Sequence, residues 1–161
     1  MSSYIELLKP RLSATVIFSC LAGYLLATPL IDFVTLFHLL VGGVALVCAS
    51  NGLNQVYEIE TDALMDRTKN RPLPTNRISI NSALIFSLIL GVVGIYFLAL
   101  INLRCVVFGA LSSLIYVVGY TPLKTKTPIS GFIGAFPGAM PFMLGWVAHE
   151  GYFGLEAGIL F

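Results

Sequence analysis

Charge is scarce in this sequence. Only 11% of its 161 residues are Asp, Glu, Lys or Arg, against roughly 25% in soluble globular domains. An ordinary soluble domain is thereby excluded, and an apolar content of 57% excludes a disordered chain. Neither sign dominates. Nine Lys and Arg face eight Asp and Glu, so no basic surface for nucleic acid is at hand. Cysteine is also sparse. Cys20, Cys48 and Cys105 have spacings that fit neither a zinc site nor a disulfide framework, and they read as small packing residues. Internal repeats and low-complexity tracts are lacking. The apolar run after Arg11 is too long for the core of a cleavable signal peptide, and no Arg- and Ser-rich transit segment precedes it, so neither is expected. With a mean hydropathy of +0.90, the class that remains is an integral membrane protein.

The few charges are concentrated. Uncharged runs of 19–26 residues separate Arg11 from Asp32, Asp32 from Glu58, Arg77 from Arg104, Arg104 from Lys124 and Lys126 from Glu150. Each is long enough for a helix to cross a hydrocarbon core of about 30 Å. Continuous apolar stretches such as 82–101 favour helices over barrel strands, which would alternate. The expectation is an all-α polytopic bundle with complete spans over 12–30, 35–57, 80–101, 104–120 and 129–148. A sixth apolar run starts near Leu155 and meets the chain end at Phe161, as a fragment would. Lys9, Arg11, Arg67, Lys69, Arg71, Arg77, Lys124 and Lys126 share one side if the spans alternate, and Arg104 stands alone on the other. That bias predicts a cytoplasmic N-terminus and a cytoplasmic loop over 58–79.

Eight charged residues fall between Glu58 and Arg77. At about 100° per residue, Asn51, Asn54, Glu58 and Asp62 lie within an arc of about 80° on one helical face. Asp66 extends the stripe if the helix continues, and Glu60 points away. A solvated helix end would explain carboxylates there. It does not explain Asn51 and Asn54 inside an apolar run, where polar groups usually face a cavity or a partner. Carboxylates one turn apart repel each other and become favourable when they share a cation. Hard oxygen ligands suit Mg²⁺, which binds one or two carboxylates together with substrate phosphates. The basic run Arg67, Lys69, Arg71 and Arg77 follows at once. Acids for a metal and bases for phosphate oxygens are what a diphosphate leaving group requires.

The stretch Asn54-x-x-x-Glu58-x-x-x-Asp62 resembles the Asn-x-x-x-Asp-x-x-x-Asp motif of the UbiA-type intramembrane prenyltransferases. Met65-x-Arg67-Thr68 followed by Arg71-Pro72-Leu73-Pro74 is similar to the branch that farnesylates haem. So are 7–13 (LLKPRLS), 120–130 (YTPLKTKTPIS) and 133–148 (IGAFPGAMPFMLGWVA), in the same order. The first acidic position is Glu58 where the family pattern has Asp. The resemblance implies transfer of a farnesyl group from farnesyl diphosphate to a vinyl group of haem B, making haem O, with Mg²⁺ assisting diphosphate ionisation. It implies a catalytic set of Asn54, Glu58 and Asp62, with Glu58, Asp62 and, as a third candidate, Asp66 as metal ligands. Arg67, Lys69, Arg71, Lys124 and Tyr120 are the candidate diphosphate contacts. Haem B is a substrate here, not a cofactor. A bacterial inner membrane and contacts with other haem-biosynthesis or oxidase-assembly membrane proteins follow from the same resemblance.

The family's second acidic motif is not in the sequence, so the chain corresponds to the family's N-terminal half and is expected to show no turnover alone. Three alternatives remain. An aromatic-acid polyprenyltransferase of the 4-hydroxybenzoate type would share Asn54, the acid at 58 and Asp62, but not the 65–74 string. An ion transporter would use the acid face without diphosphate. A non-catalytic membrane fragment would act only in assembly. His38 and His149 read as packing or interfacial residues, Lys9 and Arg11 as topology anchors. Pro137 and Pro141 are expected to kink their helix, and Gly134, Gly138 and Gly145 to permit close helix contact.

Overall fold

The computed structural model describes residues 3–28 and 30–161, and of Leu160 the backbone alone. Position 29, inside the first expected span, lies outside the described residues. The helices are α1 (Ser3–Leu7), α2 (Pro10–Ala27), α3 (Phe33–Tyr57), α4 (Ile59–Leu64), α5 (Ile80–Ala99), α6 (Leu103–Leu114), a π-helical segment (Ile115–Tyr120), the single turn α7 (Thr121–Leu123), α8 (Ile129–Glu150) and α9 (Leu155–Leu160). Among the described residues, five stretches are long and apolar enough to cross a membrane: α2, α3, α5, the run from α6 through α7, and α8. The protein is an integral membrane protein.

Local chemistry sets where the spans begin and end. Pro10 sits in the first turn of α2, where its missing N–H is no loss. Asp32 caps α3, accepting from the Val34 amide at 3.0 Å and the Thr35 hydroxyl at 2.6 Å. Ser79 caps α5 through the Ser82 amide, and Asn102 caps α6 through the Cys105 amide. Gly151, at φ 71, closes α8 in the left-handed conformation that favours glycine. The third expected boundary, at 101, runs two residues past the end of α5, and α8 runs two residues beyond the expected 148.

Apolar side chains cover the outside as well as the core. Phe18, Leu26, Phe33, Val92 and Phe132 are each more than half exposed, as lipid-facing residues are. With lipid outside, burial of apolar surface cannot drive helix association, and close packing must. α3 packs chiefly on α5, and α2 on α8. Small residues make these approaches possible. A Cβ at Gly23 would overlap the Phe142 carbonyl, and one at Gly145 would overlap the Cys20 carbonyl and the Tyr24 amide. Gly42 and Gly94 do the same between α3 and α5. Gly138 departs from the expectation. Nothing lies within 4 Å of where its Cβ would stand, because it faces a cavity and not a helix. α8 continues through Pro137 and Pro141.

Substitution Gly145→Leu therefore forces α2 and α8 apart and should cost at least about 1–3 kcal/mol. Gly138→Ala should stay within about 0.5 kcal/mol of wild type. Melting of the detergent-solubilised protein checks both, and equal melting of the two variants would contradict the packing described.

Candidate functional site

α3 carries three buried amides near its end, Asn51, Asn54 and Gln55, each no more than 2% exposed. Two of them serve the N-terminal segment. The last carbonyls of α1 have no partners within that short helix. Gln55 Nε2 donates to the Leu7 carbonyl at 2.8 Å, and Asn51 Nδ2 to the Leu8 carbonyl at 3.2 Å. The Ser13 hydroxyl also donates to the Leu8 carbonyl at 2.8 Å and accepts from Asn51 at 3.1 Å. Leu7 is fully buried with Leu73, Ile78 and Ala83. Arg77 forks onto Glu6 at 2.7 and 3.1 Å and holds that carboxyl below the ordinary range. Asn51 lies on the expected stripe, but its amide is spent on this docking.

α3 ends at Glu58, whose backbone (φ −95, ψ 10) caps it while its N–H still reaches the Asn54 carbonyl at 3.0 Å. The Asp62 amide then donates to the Glu58 carbonyl at 2.7 Å. Helical spacing therefore survives the join, and Glu58 and Asp62 stay one turn apart, each 4% exposed. Beyond them the stripe stops. Met65 is extended (φ −100, ψ 129), so α4 ends there. Asp66 is directed outward, 97% exposed along its side chain and paired with Lys69 at 2.6 Å. The third candidate ligand is not brought to the acid pair, nor is Lys69. Arg67 is exposed, with no hydrogen bond or ion pair among the described residues.

The string from Arg67 to Pro74 folds back onto the acids. The buried Thr68 hydroxyl donates to the Asp62 carbonyl at 2.9 Å, and Arg71 Nη1 donates to Asp62 Oδ2 at 2.6 Å. Pro72 and Leu73 then bury against the N-terminal cluster. Asn76, at φ 55, turns the chain back toward α5. Arg71 thus neutralises an acid. From the opposite direction Lys124 forms an ion pair with Glu58 Oε1. Neither buried oxygen of Glu58 accepts a hydrogen bond of good geometry.

Two further groups complete the cluster, and neither stands out in the sequence as part of it. Lys9 donates its ammonium to Asn54 Oδ1. Burial pushes that ammonium down to about 8, with Arg71 adding to the push and Glu58 opposing it. Asn54 Nδ2 donates to the Thr121 hydroxyl at 3.1 Å, and that hydroxyl donates to the Tyr116 carbonyl at 2.8 Å. The second bond spans the π segment. Its wider turn, common at functional sites, sets Tyr116 and Tyr120 in a stack with centroids 5.6 Å apart.

Both tyrosines line a cavity of about 560 Å³ enclosed by α2, α3, α6, the π segment and α8. Asn51, Ser50 and Ser113 give it a polar wall; Val16, Cys20, Leu46, Phe108, Met140 and Leu144 make the rest apolar. Such a volume lies in the range of ligand pockets. The donor set suits a hard divalent cation. Glu58 has one oxygen facing Lys124 and one without a partner, and Asp62 has one oxygen held by arginine, while no group of three His, Cys, Asp or Glu occurs among the described residues. Mg²⁺ does not need an all-protein cage, since phosphates and water complete its shell.

The candidate site is thus a buried acid pair at a span end, linked through Asn54, Thr121 and Tyr116 to the wall of an apolar cavity. Residues 16–161 match the UbiA prenyltransferase family, and the chain belongs to it. Among its relatives is the protoheme IX farnesyltransferase of Christiangramia forsetii, 53% identical over 161 residues, which are all of this chain and 54% of that protein. The protoheme IX farnesyltransferase of Flavobacterium psychrophilum is 50% identical over 97% of this chain and 53% of its own length. The chain spans about half the length of the curated relatives it matches. The fold resembles that of a UbiA homolog from Archaeoglobus fulgidus solved with DMAPP and Mg²⁺, with a TM-score of 0.85 at 20% identity over 96% of this chain and 57% of that one. A digeranylgeranylglyceryl phosphate synthase structure aligns with a TM-score of 0.84 at 26% identity over 91% of this chain and 52% of that one.

Removing Arg71 leaves Asp62 buried without a countercharge. Arg71→Met should therefore destabilise the protein by about 3–5 kcal/mol. Exposed Arg67→Met should change stability by less than about 0.5 kcal/mol. Chemical unfolding in detergent measures the difference.

Proposed function

We propose that this chain forms the donor side of a haem farnesyltransferase. Its acid pair and bases bind the diphosphate of farnesyl diphosphate, and its cavity takes the isoprenoid tail. The observation that carries this reading is the buried Glu58 carboxylate, whose oxygens accept no hydrogen bond and meet a cation, Lys124, at the end of the helix that also lines an apolar cavity. The relatives at 50–53% identity, named as protoheme IX farnesyltransferases, support haem B as the acceptor and haem O as the product.

Glu58 and Asp62 would hold Mg²⁺, which supplies neutralising charge to the diphosphate as the allylic C–O bond breaks. Asp66 and Lys69, paired with each other at the surface, are set aside from this role. Lys124 faces the site from the α7 side and contributes a cation to the departing oxygens, where contacts strengthen as negative charge grows. Arg71 keeps Asp62 aimed, and Arg67 is free to swing in from the rim. Asn54 is held at both ends of its amide and fixes the floor of the site. Tyr116 and Tyr120 cover the junction between diphosphate and tail and exclude water from it. The acceptor's vinyl group would meet the allylic carbon at this junction. The same reading places the protein in a bacterial inner membrane, with the N-terminus and the 58–79 loop on the cytoplasmic side, where eight of its nine basic residues gather.

The test is a chimera of this chain with the part of the Christiangramia forsetii relative that its match does not cover. Membranes containing it should farnesylate haem B. Asp62→Asn should lower the rate at least about 100-fold, the scale set by losing one transition-state charge contact. A prenylated 4-hydroxybenzoate as the product, or full activity in Asp62→Asn, would overturn the proposal.

A further inference from the structure

The buried acids and two of the bases balance one another. Lys124 faces Glu58, and Arg71 holds Asp62. Lys9 is the cation left over. Its ammonium enters the same cluster, yet among the described residues its hydrogen-bond partner is the neutral Oδ1 of Asn54 and no carboxylate lies within ion-pair distance. A cation partly withdrawn from water favours an anion beside it, because an amide oxygen satisfies a proton but not a charge.

The chain goes to some length to place this group. Lys9 has φ 50 and ψ 63, a left-handed conformation that is costly for a residue bearing a Cβ. The bend is clamped from both sides. Its own N–H reaches the Glu6 carbonyl at 3.3 Å, and the Ser13 amide reaches the Lys9 carbonyl at 3.0 Å. Gln55 and Asn51 hold the two preceding carbonyls. A topology anchor would need none of this, since an ammonium on a flexible stem finds the interface unaided. Strain kept at one residue by four separate contacts points to a use for that residue's side chain.

We propose that Lys9 is a further cation of the diphosphate site, its ammonium pairing with a phosphate oxygen of the prenyl diphosphate beside Lys124. The inference rests on the donor reading above. The diphosphate is favoured over a carboxylate of the acceptor because Lys9 shares Asn54 with the acid-bearing end of α3, where the leaving group must sit.

The experiment is calorimetric titration of the purified 161-residue chain in detergent with inorganic pyrophosphate and Mg²⁺. Lys9→Asn removes the charge while keeping a side chain that tolerates the left-handed conformation. It should weaken pyrophosphate binding by about tenfold or more, the loss of one charge-assisted contact. Lys9→Arg should bind within about threefold of wild type, and farnesol, which has no charge, should bind all three alike. Amine acylation of the wild-type chain gives a reading that needs no variant. Pyrophosphate with Mg²⁺ should protect Lys9 and leave exposed Lys126 reactive. Pyrophosphate affinity of Lys9→Asn within about twofold of wild type, or an unprotected Lys9, would overturn the inference. So would a Lys9→Asn loss confined to haem B, which would assign the ammonium to the acceptor. Failure of the wild-type chain to bind pyrophosphate would instead bring down the donor reading, and this inference with it.

Discussion

Two carboxylates withdrawn from water one turn apart are the constraint around which this bundle is arranged. An ion taken out of water costs several kcal/mol even after the surroundings relax, and Glu58 and Asp62 are each 4% exposed. The chain meets that cost by delivering cations from two distant segments, and it brings a third cation to the same cluster. Arg71 arrives because Thr68 folds the loop after α4 back onto the Asp62 carbonyl. Lys124 arrives from the turn that follows the π segment. Lys9 arrives through the bend between α1 and α2. The ends of three spans and the longest loop are positioned by the same small cluster.

The amides of α3 divide the remaining work. Asn51 and Gln55 secure the N-terminal segment by satisfying carbonyls that α1 leaves open, while Asn54 faces the acids and is fixed by Lys9 and Thr121. Positions within one turn of one helix thus serve architecture and chemistry side by side. The π segment extends this coupling to the cavity. The carbonyl that Thr121 bonds belongs to Tyr116, whose ring forms part of the cavity wall. A hydrogen-bonded chain therefore runs from Asn54, one turn before Glu58, to the wall of the apolar cavity.

Much of this was legible in the sequence, for physical reasons that also mark where legibility ends. The five spans are visible because lipid tolerates few charges, so gaps between charges outline helices. Glu58 and Asp62 share a face because hydrogen bonding holds helical spacing across the join. Asp66 breaks the extrapolation, since periodicity does not reveal that Met65 turns extended and ends α4. Arg71 reads in the sequence as a diphosphate contact, and its pairing with Asp62 is not visible there because a loop fold fixes it, not a period. Lys9 resembled an ordinary positive-inside residue, and only a left-handed bend reaching a residue 45 positions away shows otherwise. Gly138 looked like a packing glycine and faces a cavity, because small residues suit both. The match to the UbiA family carries the class of chemistry, while these contacts say what each residue touches.

The central claim is that the Glu58 carboxylate, with Asp62, holds a divalent cation together with a diphosphate. Manganese, a spin-active stand-in for Mg²⁺, tests it directly by electron paramagnetic resonance of the purified chain with pyrophosphate. The account predicts Mn²⁺ bound to the chain only when pyrophosphate is present, and lost when Glu58→Gln and Asp62→Asn are combined. Retention of Mn²⁺ with undiminished affinity by that double variant would contradict it.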